Sequence, residues 1–407
     1  MKNCIYYALV SKMLNFLVFT NLIASIQSDS SNEDLICENF FKQYIKSPEM
    51  EFGETWKPKV PVSDSKLYQD IHQDCTKFLF NQKYFLNLKE TEDEENFRIA
   101  YSIVAFESAS QLERLLRTIY RPWNYYCIHI DAKSSNVFEI AVGELVKCLH
   151  SKYKNIINSE NRVFVERSTM SVLTADLNCM KELYRKFTNW KYFINLTGQE
   201  FPLKTNAELV KILKAYKGAN NIEGTYKNRD ENIIPKEQTP FPVIWFKGDV
   251  HIIVNRNFVE FIFESSIPKV ILQFLNNQQF PDEQFFSTLN YNPQFRIAGS
   301  FLGDPDELDS GIYLGRYKNK GQFTCGSRFF NRSICILGIQ DLNMLINSPH
   351  LFAHKFYEHF QPGALRCLEK WYYDKVTEEI KSGYARVKES FYTSQVFVKH
   401  QYVRPTL

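Results

Sequence analysis

A strand–helix–strand unit at Arg98–Asp131 constrains this chain more than any other feature. Ile99–Phe106 is a short apolar run. Ser110 and Glu113 then predict a helix cap, and Leu112, Leu115, Leu116 and Ile119 line one helical face. Tyr125–Ile130 is a second apolar run, ending at Asp131. Two strands joined through a helix must lie parallel, so the unit predicts an α/β fold with a parallel sheet. Thr174–Gly218 continues the pattern as helix, buried strand, polar turn and helix. In it Thr205 and Glu208 form a capping box, and Gly218 closes the last helix. Ligands of open α/β sheets sit outside the carboxyl ends of the strands. The turn Thr197-Gly198-Gln199-Glu200 therefore falls where a substrate is held, and its single acid equips it poorly to chelate a metal.

The chain has 407 residues, 44% of them hydrophobic and 15% aromatic, enough to bury a sizeable core. A formal net charge of +3 gives no global attraction to nucleic acid. Leu14–Ile26 is almost continuously apolar, preceded by Lys2 and Lys12 and followed by the polar run Ser28–Glu33. That pattern suits a signal h-region or a marginal signal-anchor, and either places the remainder in the secretory lumen. Of the 9 cysteines only Cys4 belongs to this leader. The others form an even set with no C-x-x-C pair, which in an oxidising compartment reads as disulfides and not zinc. The expected organisation is a targeting segment over 1–26, a stem over 27–96, a catalytic domain over 97–375 and a peripheral C-terminal tail over 376–407. Helical periodicity within the stem appears only around Leu67–Phe80. Sequons occur at Asn195 and Asn331, and neither is expected to be used.

Four segments carry a family resemblance: Arg98–Asp131, Ala175–Tyr184 (ADLNCMKELY), Phe280–Phe286 (FPDEQFF) and His350–Phe356 (HLFAHKF). In order and spacing the chain resembles the metal-independent β-1,6-N-acetylglucosaminyltransferases. These are the core 2 and I-branching enzymes, with xylosyltransferases as more distant relatives. The resemblance implies a GT-A type, Rossmann-like domain with a mixed, disulfide-bonded sheet. It also implies inverting transfer of GlcNAc from UDP-GlcNAc to the 6-hydroxyl of an O-glycan sugar, and a Golgi type II membrane location. Glu283 matches the family's catalytic base. Taken alone, Pro281-Asp282-Glu283 reads as the first turn of a helix, where acids favour the dipole.

The family neutralises its leaving diphosphate with an arginine and a lysine in place of a metal. Those positions fall at Arg332 and Lys355. Asp304-Pro305-Asp306 reads instead as a turn. Val104 and Asp131 match donor-site positions, while Glu200 and Glu223 match acceptor-side acids. The resemblance pairs Cys37 with Cys367, Cys75 with Cys148, Cys127 with Cys179 and Cys325 with Cys335. The expected partners are a UDP-sugar, a glycan or glycoprotein acceptor and, through the leader, a membrane. No nucleic acid and no metal cofactor are expected. Departures cluster at Arg167–Val172, where the family has aromatics and a cation, and also occur at Phe106, Phe280 and Gly248-Asp249. They leave open another donor such as UDP-glucose or UDP-xylose, or a catalytically silent glycan-binding protein.

Overall fold

The computed structural model describes residues 37, 38, 41, 61–85, 88–307 and 313–404. The leader Leu14–Ile26 and most of the expected stem lie outside the described residues. No described helix is long and apolar enough to cross a membrane.

In chain order the elements begin with α1 (Asp64–Gln73), α2 (Cys75–Asn81), β1 (Arg98–Ala105), α3 (Ala109–Ile119), β2 (Tyr125–Ile130), α4 (Asn136–Tyr153) and β3 (Ile156–Asn158). Next come α5 (Met170–Lys186), β4 (Trp190–Thr197), β5 (Glu200–Pro202), α6 (Asn206–Ala215), β6 (Asn221–Thr225) and β7 (Lys247–Asn255). These are followed by α7 (Arg256–Glu264), α8 (Ser266–Leu275), α9 (Pro281–Asn290), β8 (Arg316–Tyr317), β9 (Phe330–Asn331) and β10 (Ile334–Cys335). The last are α10 (Leu342–Ile346), β11 (Phe352–His354), α11 (Pro362–Ser382), α12 (Glu389–Thr393) and α13 (Val396–Lys399).

The main sheet runs β3-β2-β1-β4-β7-β6. Its first four strands are parallel, and β7 and β6 pair antiparallel at the other edge. Alternation along β1 sends Ile99, Tyr101 and Ile103 to one apolar core with α3, α4 and α6, and Ala100 to the opposite core with α5, α7 and α9. A smaller sheet, β5-β11-β8, sits on a third core with α10 and α11. All four expected disulfides are present.

Local expectations meet mixed outcomes. The Thr205/Glu208 capping box is complete, and Pro281 is the first residue of α9. The cap of α3 lies two residues earlier than expected. Ser108 accepts from the Gln111 amide, while Ser110 instead donates to Glu358, 2.5 Å away.

The expected stem and tail boundaries also shift. Leu67, Ile71, Phe78 and Leu79 of α1 and α2 are buried in the first core, and Cys75 is bonded to α4. They belong to the globular body. The C-terminal residues are equally built in, because α11 continues to Ser382 and the segment after it covers α6. Phe397 packs edge-on against Tyr216 with ring centroids 5.0 Å apart, and Tyr392 Oη donates to Pro349 O. The polar composition there reflects outward-facing residues; a few aromatics do the anchoring. Phe397→Ala is therefore expected to cost about 3 kcal/mol, read as a lower urea midpoint with an unchanged m-value.

Candidate functional site

Glu283 stands in the first turn of α9 with its carboxylate about one-third exposed, 3.8 Å from Lys247 Nζ. The close packing of α9 on the sheet is set by Gly248. A Cβ there would come within 2.2 Å of the Glu223 carbonyl oxygen and 2.9 Å of Ser287 Cβ. Burial raises the Glu283 pKa, Asp249 adds to the rise, and Lys247, Lys320 and Lys318 oppose it. Neighbouring Asp282 is buried and is pushed up to about 7, by burial first and then by the charge of Glu283. The turn thus combines a buried acid that holds its proton up to about neutral pH with a partly exposed carboxylate of raised proton affinity.

Behind it lies a chain of buried charge. Glu200 accepts from Arg316 Nε at 2.7 Å and lies 3.2 Å from His354 Nδ1. His251 Nε2 lies 2.6 Å from the same carboxylate, off hydrogen-bond geometry. The other His251 nitrogen is 2.8 Å from Asp249 Oδ1, which Lys318 Nζ also reaches. Burial alone would raise the Glu200 pKa, but Arg316, His251 and His354 hold it well below the usual range. Lys318 and His251 do the same for Asp249. Burial pushes His354 down to about 3, so it is a neutral donor to Glu200 through Nδ1.

Glu200, His251 and His354 offer ligand atoms within 4.8 Å of one another. The Glu200 charge is already matched by Arg316, and Lys318 Nζ lies 2.6 Å from His251 Nδ1. Glu200, expected on the acceptor side, is fully buried with both oxygens engaged. It cannot present an oxygen to the cleft, and it fixes the floor instead.

Three cations converge beyond that floor. Lys355 follows β11, whose register pairs His354 with Glu200, and the Phe356 amide donates to Gln199 O. The His354–Lys355 peptide is cis. Arg332 and Ser333, both at positive φ, form the two-residue turn between β9 and β10. Cys325–Cys335 and the bond from Leu337 N to Lys355 O carry that hairpin to Lys355. Arg167 comes from the loop before α5. Its guanidinium lies 5.9 Å from the Phe280 ring centroid, and Ser168 O accepts from Phe280 N at 3.1 Å.

Burial, then Arg332 and Arg167, lower the Lys355 pKa, with Glu107 pulling the other way. Among the described residues, none of these three cations pairs with a carboxylate within 4 Å. Unpaired like charges brought together by separate segments make a site for a multiply charged anion.

Other expected residues fall around this centre. Val104 is the penultimate residue of β1, with its carbonyl accepting from Gly198 N. Asp131 is buried after β2 and accepts from Lys133 N and Val165 N. Glu223 lines a cleft of about 550 Å³ together with Tyr291, Tyr313, Lys318 and Lys320. Asp306 is spent on the Thr225 hydroxyl and on the Tyr226 and Lys227 amides, so Asp304-Pro305-Asp306 is a turn. Asn195 is buried, with its amide donating to Asp176 and Val250 O, which leaves it no access to glycosylation. Arg167, Asp249, His251, Arg316 and Lys318 were not anticipated as site residues. Asp249 and His251 share one side of the strand at a spacing of two, ahead of the apolar run Ile252–Val254, a signal the sequence did contain.

The family model for "Branch: Core-2/I-Branching enzyme" matches residues 99–343. A human beta-1,3-galactosyl-O-glycosyl-glycoprotein beta-1,6-N-acetylglucosaminyltransferase is 31% identical over 77% of this chain and 78% of its own length. The mouse protein of that name numbered 3 is 31% identical over 75% and 74%, and one from Bovine herpesvirus 4 is 31% identical over 78% and 77%.

The buried charge chain yields the sharpest stability forecast. Arg316→Met strands an ionised Glu200 in the interior and is expected to cost about 3–5 kcal/mol. Urea denaturation measures it, and the loss should shrink in an Arg316→Met/Glu200→Gln double variant.

Proposed function

The chain belongs to the Core-2/I-branching enzyme family, and on that footing we propose that it is an inverting β-1,6-N-acetylglucosaminyltransferase. Its donor is UDP-GlcNAc and its acceptor the 6-hydroxyl of a sugar in a core 2-like O-glycan. The observation that carries this reading is the unpaired Arg332, Lys355 and Arg167 cluster, set across the strand ends from an accessible, raised-pKa glutamate. Glu283 removes the acceptor hydroxyl proton as that oxygen attacks C1. The bond from C1 to the diphosphate oxygen breaks, and its electron pair stays on UDP. Lys355 and the two arginines stabilise that charge as it develops. The cleft holding Glu223, Lys318 and Lys320 receives the acceptor.

We further propose that no metal takes part. The Arg316-matched environment of Glu200, His251 and His354 supports this, as does the engagement of Asp306 with backbone amides. A lumenal, type II Golgi setting is part of the same proposal, supported by the four disulfides and the apolar stretch Leu14–Ile26.

Activity measured with a panel of UDP-sugars in EDTA tests the reading. Turnover with UDP-GlcNAc should persist under chelation, and strict manganese dependence would overturn the cation assignment. Glu283→Gln should abolish turnover while the protein still binds UDP and keeps its unfolding transition. Arg332→Ala and Lys355→Ala should each lower kcat by about 10²–10³. Because Glu283 must be ionised and its pKa is raised, the acid limb of the rate profile should lie above the ~4.3 of an ordinary glutamate.

A further inference from the structure

We propose that the disulfide-closed segment 319–335 is a docking surface for the polypeptide that carries the acceptor glycan. Its rings, Phe323, Phe329 and Phe330, favour a Ser/Thr-rich chain that contains proline. Six phenylalanines are exposed among the described residues, and three of them fall within 323–330. Phe323 is 60% exposed, Phe330 44% and Phe329 40%. Bare rings concentrated on one short segment mark a surface that another chain covers.

The rings stand on a backbone held from inside. Asn319 is fully buried. Its Oδ1 accepts from Gly321 N and Phe323 N, and its Nδ2 donates to Phe323 O and Thr324 O. Gly321 sits at a φ of 101°, where a side chain would be strained. Cys335 N donates to Asn319 O, which joins this turn to the β9–β10 hairpin. The Cys325–Cys335 bridge and the bond from Ile336 N to Phe329 O close the unit. One flank of Phe323 lies beside the buried Tyr317, with centroids 6.3 Å apart and the planes 21° from parallel. Phe329 lies 4.9 Å from Phe360. Apolar rings fixed in this way lose little freedom when a partner arrives.

The occupant follows from where the segment begins. Gln322 and Phe323 line the same cleft as Glu223, Lys318 and Lys320. The charges of Lys318 and Lys320 bear on Glu283, so this wall leads from the base to Phe323. Lys320 and Phe323 are three residues apart, at most ~10 Å, a distance that a short oligosaccharide spans. An acceptor whose reacting sugar stands at Glu283 therefore carries its polypeptide out over Phe323 and the hairpin. O-glycosylated stretches are rich in Ser, Thr and Pro, and proline-bearing extended chains dock on aromatic-lined surfaces. A free disaccharide held in the cleft would leave Phe329 and Phe330 uncovered. The inference rests on the reading of that cleft as the acceptor site.

Steady-state kinetics of the full chain with UDP-GlcNAc and three acceptors tests it. The acceptors are free galactosyl-β-1,3-N-acetylgalactosamine, the same disaccharide on a Ser/Thr/Pro peptide, and that glycopeptide with alanine in place of each proline. The proline-bearing glycopeptide should show the lowest KM. Phe329→Ala and Phe330→Ala should each raise that KM about five- to tenfold, with kcat and the KM for the free disaccharide unchanged. Phe329→Trp should retain the wild-type KM. Equal wild-type KM values for free disaccharide and glycopeptide overturn the docking surface while leaving the transferase reading standing. Losses shared by both acceptors in the alanine variants also overturn it, because they would reveal a disturbed Arg332 at the hairpin tip. Equal KM values for the two glycopeptides overturn the preference for proline. Wild-type protein that turns over none of the three acceptors refutes the acceptor reading and the surface together.

Discussion

Glu200 is the point on which the two sheets depend. It lies on β5, while its partners come from β7 (His251), β8 (Arg316) and β11 (His354). One ionised carboxylate, sealed from water, therefore locks the small sheet to the antiparallel part of the large one. Such a group is tolerated only because its oxygens face a guanidinium and two imidazoles. What it secures is position. Lys355 is the next residue after His354, and Lys318 lies two beyond Arg316. Lys355 and Lys318 thus extend from residues pinned at the floor.

Much of this architecture was legible in the sequence, and for identifiable reasons. Apolar strand runs with a helical face between them dictate parallel pairing, and β1–α3–β2 follows directly. Thr205 with Glu208, and Pro281 before two acids, are local signals that tertiary packing had no cause to override. The boundaries of the body failed for the opposite reason. In α1, α2 and the segment after α11, a few buried apolar residues are scattered among many solvent-facing polar ones, so the average composition hides the anchors. Glu200 was misjudged because a strand-end acid facing outward and one facing inward share the same local sequence. Only Arg316, 116 residues away, decides between them. Arg167 had been read as part of a loss, since the aromatics expected there are absent. Space returned it to the cation cluster beside Phe280, another departing residue.

The site solves an electrostatic problem by assembly. Arg167, Lys355 and Arg332 arrive from the loop before α5, the end of β11 and a disulfide-tied hairpin. Placed together without an anion they repel, and that repulsion adds to burial in lowering the pKa of Lys355. An arriving diphosphate relieves that repulsion. Binding and charge stabilisation of the leaving group thus draw on the same stored potential. Glu283 is kept basic by related means, because burial and Asp249 raise its proton affinity while Lys247, Lys320 and Lys318 limit the rise.

The Cys37–Cys367 bridge joins positions 330 residues apart in sequence. It fastens the first described residue to the long helix α11, beneath the small sheet. A pull transmitted along the chain from before Cys37 therefore enters the molecule at α11 and not at α1. The covalent link carries the load past residues 38–366, so neither the strands nor the anion site lies in the line of tension. Mechanically, nearly the whole body is a closed loop hung from one sulfur pair.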